Sequence, residues 1–334
     1  MYESFYKLSG KPFQLLPDTN IVFPSSGHKR ALSYMVYGLE QGEGFIVITG
    51  DVGTGKTTLI QTLLADIKKE EIVPINIAAA NMDDTAILHS ITEALELGLD
   101  GSNKVIFLRE LKKVFGDYQK QGKRVVIIID EAQTLSWEAL EELRILTNLE
   151  AEGKALLQVF LVGQPELRKI INSKNTEQLQ QRIIASYNLA HLTDSETKEY
   201  ILYRLKKVGW DNDPSISEGV FTEIFEWSEG VPRKVNLVCD RLFLYEFLEE
   251  LHTIQKKHVE TVIAEMDEEV GSEQGSGFEK EKPKSRKKRT RHGKNNSDGL
   301  AKRIEKLEES LDELAEDFEH EKKLIKLLVK NIDL

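Results

Sequence analysis

Cysteine is nearly missing from this chain: Cys239 is the only one in 334 residues. No disulfide can close within it, and a reducing cytosol is the expected setting. Within NLVCDRLF, which reads as a helix face, the thiol is expected to be a small core residue rather than a nucleophile. Long apolar runs are missing as well, since no stretch approaches the roughly 18 residues of a spanning helix. The opening MYESFYKLSGKPFQ has no apolar run behind a basic start, so neither export nor membrane spanning is expected. Basic residues are outnumbered by acidic ones, 45 to 56, and the net charge of −11 argues against general coating of nucleic acid. That average conceals one basic island, KPKSRKKRTRHGK, from Lys282 to Lys294.

What is present is a globular composition, with 40% hydrophobic and 30% charged residues. The length exceeds the ~100 to 200 residues of one domain, so two domains with appendages are expected. Residues 1–44 mix aromatics with Pro12, Pro17 and Pro24, then show a helical pattern over 28–39. They are expected to form a packed linker and a helix. Over 45–166 short apolar runs alternate with amphipathic segments, which is the pattern of a parallel sheet covered by helices within a domain at 45–192. FIVIT, VPINIA, VVIIID and LLQVFLVG are the strands, and 56–69, 85–97, 105–121 and 137–149 the helices. VVIIID is apolar enough for burial on both faces, which predicts the sheet centre.

Beyond 192 the strand signals stop. Amphipathic segments near 195–208, 217–228, 232–251 and 257–266 predict an all-helical domain over 193–268. Residues 269–299 hold Gly, Ser and charge but almost no large apolar side chain, so a disordered basic linker is expected. Leu300, Ile304, Leu307, Leu311, Leu314, Phe318, Glu321, Ile325, Leu328 and Ile332 then follow at alternating steps of 4 and 3, with Glu321 the one polar member. That seam predicts a coiled coil over 300–334; a single amphipathic helix lying on the globular body is the other reading.

Gly50, Asp51, Val52, Gly53, Thr54, Gly55, Lys56 and Thr57 match G-x-x-x-x-G-K-[ST] in full, between an apolar strand and a helix that continues with Thr58. Glycines let the loop curl so that successive N–H groups face phosphates, and the helix adds its positive end. Lys56 is expected to reach the β and γ phosphates of ATP and Thr57 to hold Mg2+. The strand VVIIID delivers Asp130 and Glu131 at its C-terminal end, where ligands bind in open α/β sheets. Asp130 is expected to serve the magnesium ion and Glu131 to polarise the attacking water. Arginines usually neutralise the charge that develops in phosphoryl transfer. Arg233, at the start of a helix after Gly230, Val231 and Pro232, is placed to fold onto its own γ phosphate, and Arg182, in QLQQRI, to enter a neighbour's site. Gln164, past LLQVFLV, either contacts the phosphate or water or is an idle loop amide.

With those motifs in place, the chain resembles the ExeA, or general secretion pathway protein A, family of AAA+ ATPases. Within it the likeness is nearest to the secretion ATPases associated with exosortase (PEP-CTERM) systems of bacteria. MYESFYKLSGKPFQLLPD, GEGFIVITGDVGTGKTTL, IIIDEAQTL, LVGQPELR, QLQQRI and GVPRKVN carry the resemblance, in that order across 1–267. It implies an α/β P-loop AAA+ core with a central parallel sheet, then a helical lid, with ATP and Mg2+ as cofactors. It also implies a homo-oligomeric ring or filament, because AAA+ sites are completed by neighbours. Arg182 would be the finger acting in trans, Arg233 the second sensor, and adenine would pack near Phe13, Leu16 and His28. Two departures stand out. ExeA continues into a membrane span and a peptidoglycan-binding region where this chain has a basic tether and a heptad seam, and Gln164 stands where many AAA+ proteins carry asparagine.

The resemblance points to an ATP hydrolase that drives or regulates assembly of a secretion or envelope-polymer export system. Its partners would be export components, and its place cytoplasmic, with peripheral attachment to the inner membrane as an option. A DNA-binding ATPase of the transposition or replication-initiation type is the alternative, because Lys282 to Lys294 suits phosphates. The same island suits anionic lipid, or serves only as a solubilising tether. A helicase reading, prompted by DEAQ at Asp130 to Gln133, fails because one nucleotide-binding core is visible. A sensor that does not hydrolyse would lack Glu131 or Arg182, and both are present.

Overall fold

The computed structural model describes residues 1–15, 21–66, 71–99, 103–173 and 176–274, all within one compact unit. The basic island, the expected linker beyond 274 and the heptad seam lie outside the described residues. The first half of the chain runs α1 (Tyr2–Phe5), α2 (Ser26–Gln41), β1 (Phe45–Gly50), α3 (Lys56–Asp66), β2 (Ile72–Ala78), α4 (Asp84–Ala94), α5 (Lys104–Lys120) and β3 (Arg124–Asp130). A 3-10 turn at Ala132–Thr134, α6 (Trp137–Leu146), the hairpin β4 (Glu150–Ala151) and β5 (Lys154–Ala155), β6 (Leu157–Gly163), α7 (Glu166–Ile171), α8 (Glu177–Gln180) and β7 (Ile183–Leu189) follow. The rest is helical apart from two short strands: α9 (Asp194–Lys207), β8 (Ser215–Ile216), α10 (Glu218–Ser228), α11 (Pro232–Leu248), β9 (Thr253–Ile254) and α12 (Lys256–Gln274).

The main sheet is parallel, in the order β2-β3-β6-β1-β7. Side chains alternate along a strand, so each inner strand feeds two cores. Phe45 and Val47 of β1, with Val125, Ile127 and Ile129 of β3 and Leu157, Val159 and Leu161 of β6, face α4 to α7. Ile46 and Ile48, with Val126 and Ile128, Phe160 and Val162, face α2 and α3. VVIIID is buried on both faces as its composition demands, but β6 rather than β3 takes the central place. Apolarity reports burial, and every inner strand of a covered sheet is buried alike.

Two boundaries differ from the sequence expectation. Helix α12 runs on to Gln274, past the limit expected at 268, and a paired Arg241–Glu269 contact at 2.6 Å ties its last turns to α11. Strand pairing does not stop at 192, because β8 and β9 pair in parallel and clip the start of α10 to that of α12. The first residues join the helical core rather than the sheet. Tyr2, Tyr6 and Phe13 surround Phe243 of α11, with ring centroids 5.9, 5.9 and 5.6 Å away. Tyr2 donates to Asp240 at 2.6 Å and Tyr6 to the Leu251 carbonyl at 2.8 Å, so each hydroxyl is satisfied as its ring is buried.

Phe243→Ala should cost about 3–5 kcal/mol of unfolding free energy and release residues 1–15 to protease. Urea denaturation and limited proteolysis measure the two effects.

Candidate functional site

Strand β1 is buried along its whole length and ends at Gly50, from which residues 51–55 curl back into α3. Gly53 (φ +85°) and Gly55 (φ +95°) take left-handed conformations that glycine adopts at no steric cost. A Cβ on Gly53 would come 2.6 Å from Cβ of Arg233, and one on Gly55 2.8 Å from Nε2 of His28. Lys56, at the head of α3, is buried and donates to the Gly50 and Asp51 carbonyls at 2.9 and 3.0 Å. Burial draws its pKa below the usual lysine value, against the opposing pull of Glu131, Asp130 and Asp51.

Strand β3 brings the acids to the same edge. Thr57 Oγ1 donates to Asp130 Oδ2 at 3.0 Å, while the Glu131 N–H donates to Asp130 Oδ1 at 2.9 Å. Glu131 sits at φ +54°, a conformation that side chains other than Gly, Asn and Asp rarely adopt. Its Oε2 accepts from Gln133 Nε2 at 2.6 Å and Gln164 Nε2 at 3.3 Å. The Gln164 N–H in turn donates to Gln133 Oε1 at 2.9 Å. Thr57 and Asp130 are thus joined directly, and Glu131 and Gln164 are joined both directly and through Gln133, which the sequence reading leaves without a role.

A cavity of ≈ 380 Å³ opens beside the loop, with Val52, Gly53, Thr54, Gly55, Lys56, Thr57, Thr58 and Glu131 along one side. His28 lines it too, with its Nδ1 held by Ser25 Oγ at 2.7 Å. Burial lowers the His28 pKa, Glu196 opposing, which favours the neutral imidazole. Phe13 does not line the cavity. It is 1% exposed and packed into the helical core. Gln14, Leu15, Ile21, Val22 and Phe23 stand there instead, and Leu16 lies outside the described residues.

Tyr200, Arg204 and Asn236 line the wall with Leu192 and Pro232; Asn236 closes the GVPRKVN motif, whereas no local pattern in the sequence marks Tyr200 or Arg204. They form a chain: Arg204 donates to the Pro12 carbonyl and to Tyr200 Oη at 2.9 Å, Tyr200 to Asn236 at 2.8 Å, and Asn236 to the Gln14 carbonyl at 3.1 Å. The N-terminal segment is thereby held along the cavity.

The two arginines part company. Arg233 lies on the first turn of α11, with its N–H 3.2 Å from the Gly53 carbonyl, against its own loop. Arg182 precedes β7, and its carbonyl accepts from Phe45 at the start of β1. Leu189, which pairs with Gly50, is a strand's length away, about 20 Å at ~3.3 Å per residue. His191, unmarked by any motif, links Asp51 Oδ2 at 2.6 Å to the Glu229 carbonyl at 3.1 Å.

The residues suit a nucleotide with a divalent cation. A hydroxyl and a carboxylate already paired are hard oxygen donors of the kind Mg2+ takes, with phosphate oxygens and water completing its shell. Among the described residues no three His, Cys, Asp or Glu side chains converge, so such an ion depends on the nucleotide's own oxygens.

Residues 39–171 match the sequence model of the AAA domain family. Over 258 residues the chain is 36% identical to general secretion pathway protein A of Aeromonas hydrophila, covering 76% of this chain but 46% of that protein, so it spans less than half of the relative's length. Among solved structures it is similar to the ORC1 protein of Aeropyrum pernix in complex with DNA, at a TM-score of 0.57 and 17% identity over 79% of this chain and 71% of that one. The ORC2 protein of Aeropyrum pernix in its ADPNP–ADP complexes gives 0.55 and 16% over 72% and 68%. At such identities these likenesses show the fold alone, an α/β P-loop AAA+ fold with a central parallel sheet.

Gly53→Ala should lose about 1 kcal/mol or more of stability, through both its φ and its contact with α11. Gly10→Ala, with nothing within 4 Å of the added carbon, is the control, and chemical unfolding of both variants is the measurement.

Proposed function

From an AAA+ fold and a likeness to general secretion pathway protein A, we propose that this chain binds and hydrolyses MgATP. Hydrolysis drives or regulates assembly of a bacterial secretion or envelope-polymer export system of the exosortase-associated kind. The observation that carries the chemistry is the Thr57–Asp130 hydrogen bond of 3.0 Å beside the Lys56 loop, because it joins the two oxygen donors a bound Mg2+ would need. The magnesium ion, when bound, neutralises charge on the phosphate oxygens.

The chain's own residues do the rest. The amides of 51–56 cradle the phosphates, and Lys56 exchanges its two backbone carbonyls for phosphate oxygens. Glu131 orients and polarises the attacking water, with Gln164 beside it. His28, Leu15 and Phe23 pack around the base in place of Phe13. Arg233 acts within its own subunit, as the second sensor of a helical lid formed by α9 to α12. Arg182, at the far edge of its sheet, is suited to a neighbour's site, which requires a homo-oligomer. The export reading rests on the relative's name. The DNA-handling alternative rests on Lys282 to Lys294, outside the described residues.

Lys56→Ala should abolish ATP binding, and Glu131→Gln should bind ATP yet lose about 100-fold or more in turnover. Equilibrium binding and phosphate release separate the two roles. Arg182→Ala should keep its nucleotide affinity, lose turnover, and regain part of it when mixed with Lys56→Ala. A mixture no more active than its parts would count against a finger acting in trans.

A further inference from the structure

Gln133 bridges two groups that cannot bond to each other directly. The carboxylate of Glu131 only accepts hydrogen bonds and the backbone N–H of Gln164 only donates, so a primary amide between them has one satisfactory orientation. Gln133 adopts it, with Nε2 2.6 Å from Glu131 Oε2 and Oε1 2.9 Å from the Gln164 nitrogen. The backbone beneath it is anchored. Ala132 is buried, and Thr134 Oγ1 donates to the Ala79 carbonyl at 3.1 Å and to the Glu131 carbonyl at 2.9 Å, tying the 3-10 turn to the end of β2. The opposite wall is shaped to admit the amide, because a Cβ on Gly163 would stand 2.5 Å from Gln133 Oε1 and 3.2 Å from its backbone nitrogen. Glu131, by contrast, is exposed and carries an unusual backbone conformation, and among the described residues the hydrogen bonds to its carboxylate come from the Gln133 and Gln164 amides.

We infer that Gln133 is a positioning residue for hydrolysis: it holds Oε2 of Glu131 against the end of β6 and leaves Oε1 to accept from the attacking water. The inference rests on Glu131 being the water-activating group. Fixing an exposed carboxylate in advance removes a reorganisation that the reaction would otherwise have to make each turnover.

The test uses the full-length chain with Gln133→Met, which keeps the shape and loses both bonds, and Gln133→Glu, which keeps the acceptor for the Gln164 N–H and sets a like charge beside Glu131. Both should lower kcat for MgATP by about tenfold or more while the ATP Kd stays within about twofold and the urea midpoint is unchanged. In the Glu131→Gln background, Gln133→Met should lower the residual turnover no further, because the group it positions is gone. Full kcat in the Gln133 variants beside an inactive Glu131→Gln would overturn this inference alone. So would a kcat loss matched by lost ATP affinity or stability, or an additive loss in the double variant, since each marks a structural role. Full turnover in Glu131→Gln would instead overturn the assignment of Glu131, and the inference with it.

Discussion

The register of β1 between its parallel neighbours is the constraint from which the site follows. Thr49 lies level with Gly163 of β6 and Gly50 with Leu189 of β7, while Ile129 of β3 lies level with Leu161 of β6. Parallel strands end at one edge, so the phosphate loop, Asp130, Glu131, Gln164 and the chain leading to His191 all emerge together. Slipping a strand by one residue would exchange its two faces, sending Ile46 and Ile48 toward the core that Phe45 and Val47 now fill. Burial on both faces therefore delivers the polar residues to one edge, where hydrogen bonds among Thr57, Asp130, Glu131, Gln133 and Gln164 join them.

The helical part of the chain docks on this edge through the loop itself. The Gly53 carbonyl receives the N–H of Arg233, His191 joins Asp51 to the chain between α10 and α11, and Glu196 of α9 accepts the Ser26 N–H at the head of α2 at 2.9 Å. Gly230, at φ +71°, lets that connection pass so close to Leu192 that a Cβ would stand 2.0 Å from its carbonyl oxygen. The loop is thus braced by the backbone of Arg233 and the side chain of His191, both distant from it in the chain. Desolvation acts in the same place, lowering the pKa of both Lys56 and His28. The acids near Lys56 oppose that shift and favour its charge, whereas the neutral form of His28 suits a ring lying against a glycine backbone.

Much of the architecture is legible in the chain because period and capping are local. The expected helix at 85–97 begins at Asp84, where Asp83 accepts from the Thr85 and Ala86 N–H groups, and ends at Ala94. The strand and helix that flank residues 51–55 are legible for the same reason, since strand, glycine-rich turn and helix are contiguous. Helix α12 escapes the reading at its end because a polar, acidic composition resembles a linker, and the arginine on α11 that pairs with Glu269 is remote in sequence. DEAQ places Gln133 beside the acids, but nothing in four letters says that its amide also meets the Gln164 N–H.

The sequence by itself determined that two acids follow a buried strand, that a glycine loop precedes a helix, and that Arg233 opens another, because each is a relation between neighbours in the chain. Only the tertiary structure decided which aromatic reaches the cavity, that Arg182 stands a strand's length from its own loop, and that Tyr200, Arg204 and Asn236 hold residues 12–14 along the wall. Phe13 and Phe23 look alike on paper. One is buried against Phe243 and the other lines the cavity, because each apolar side chain goes wherever the assembled helices leave a surface to cover, and that surface exists only once remote segments have packed.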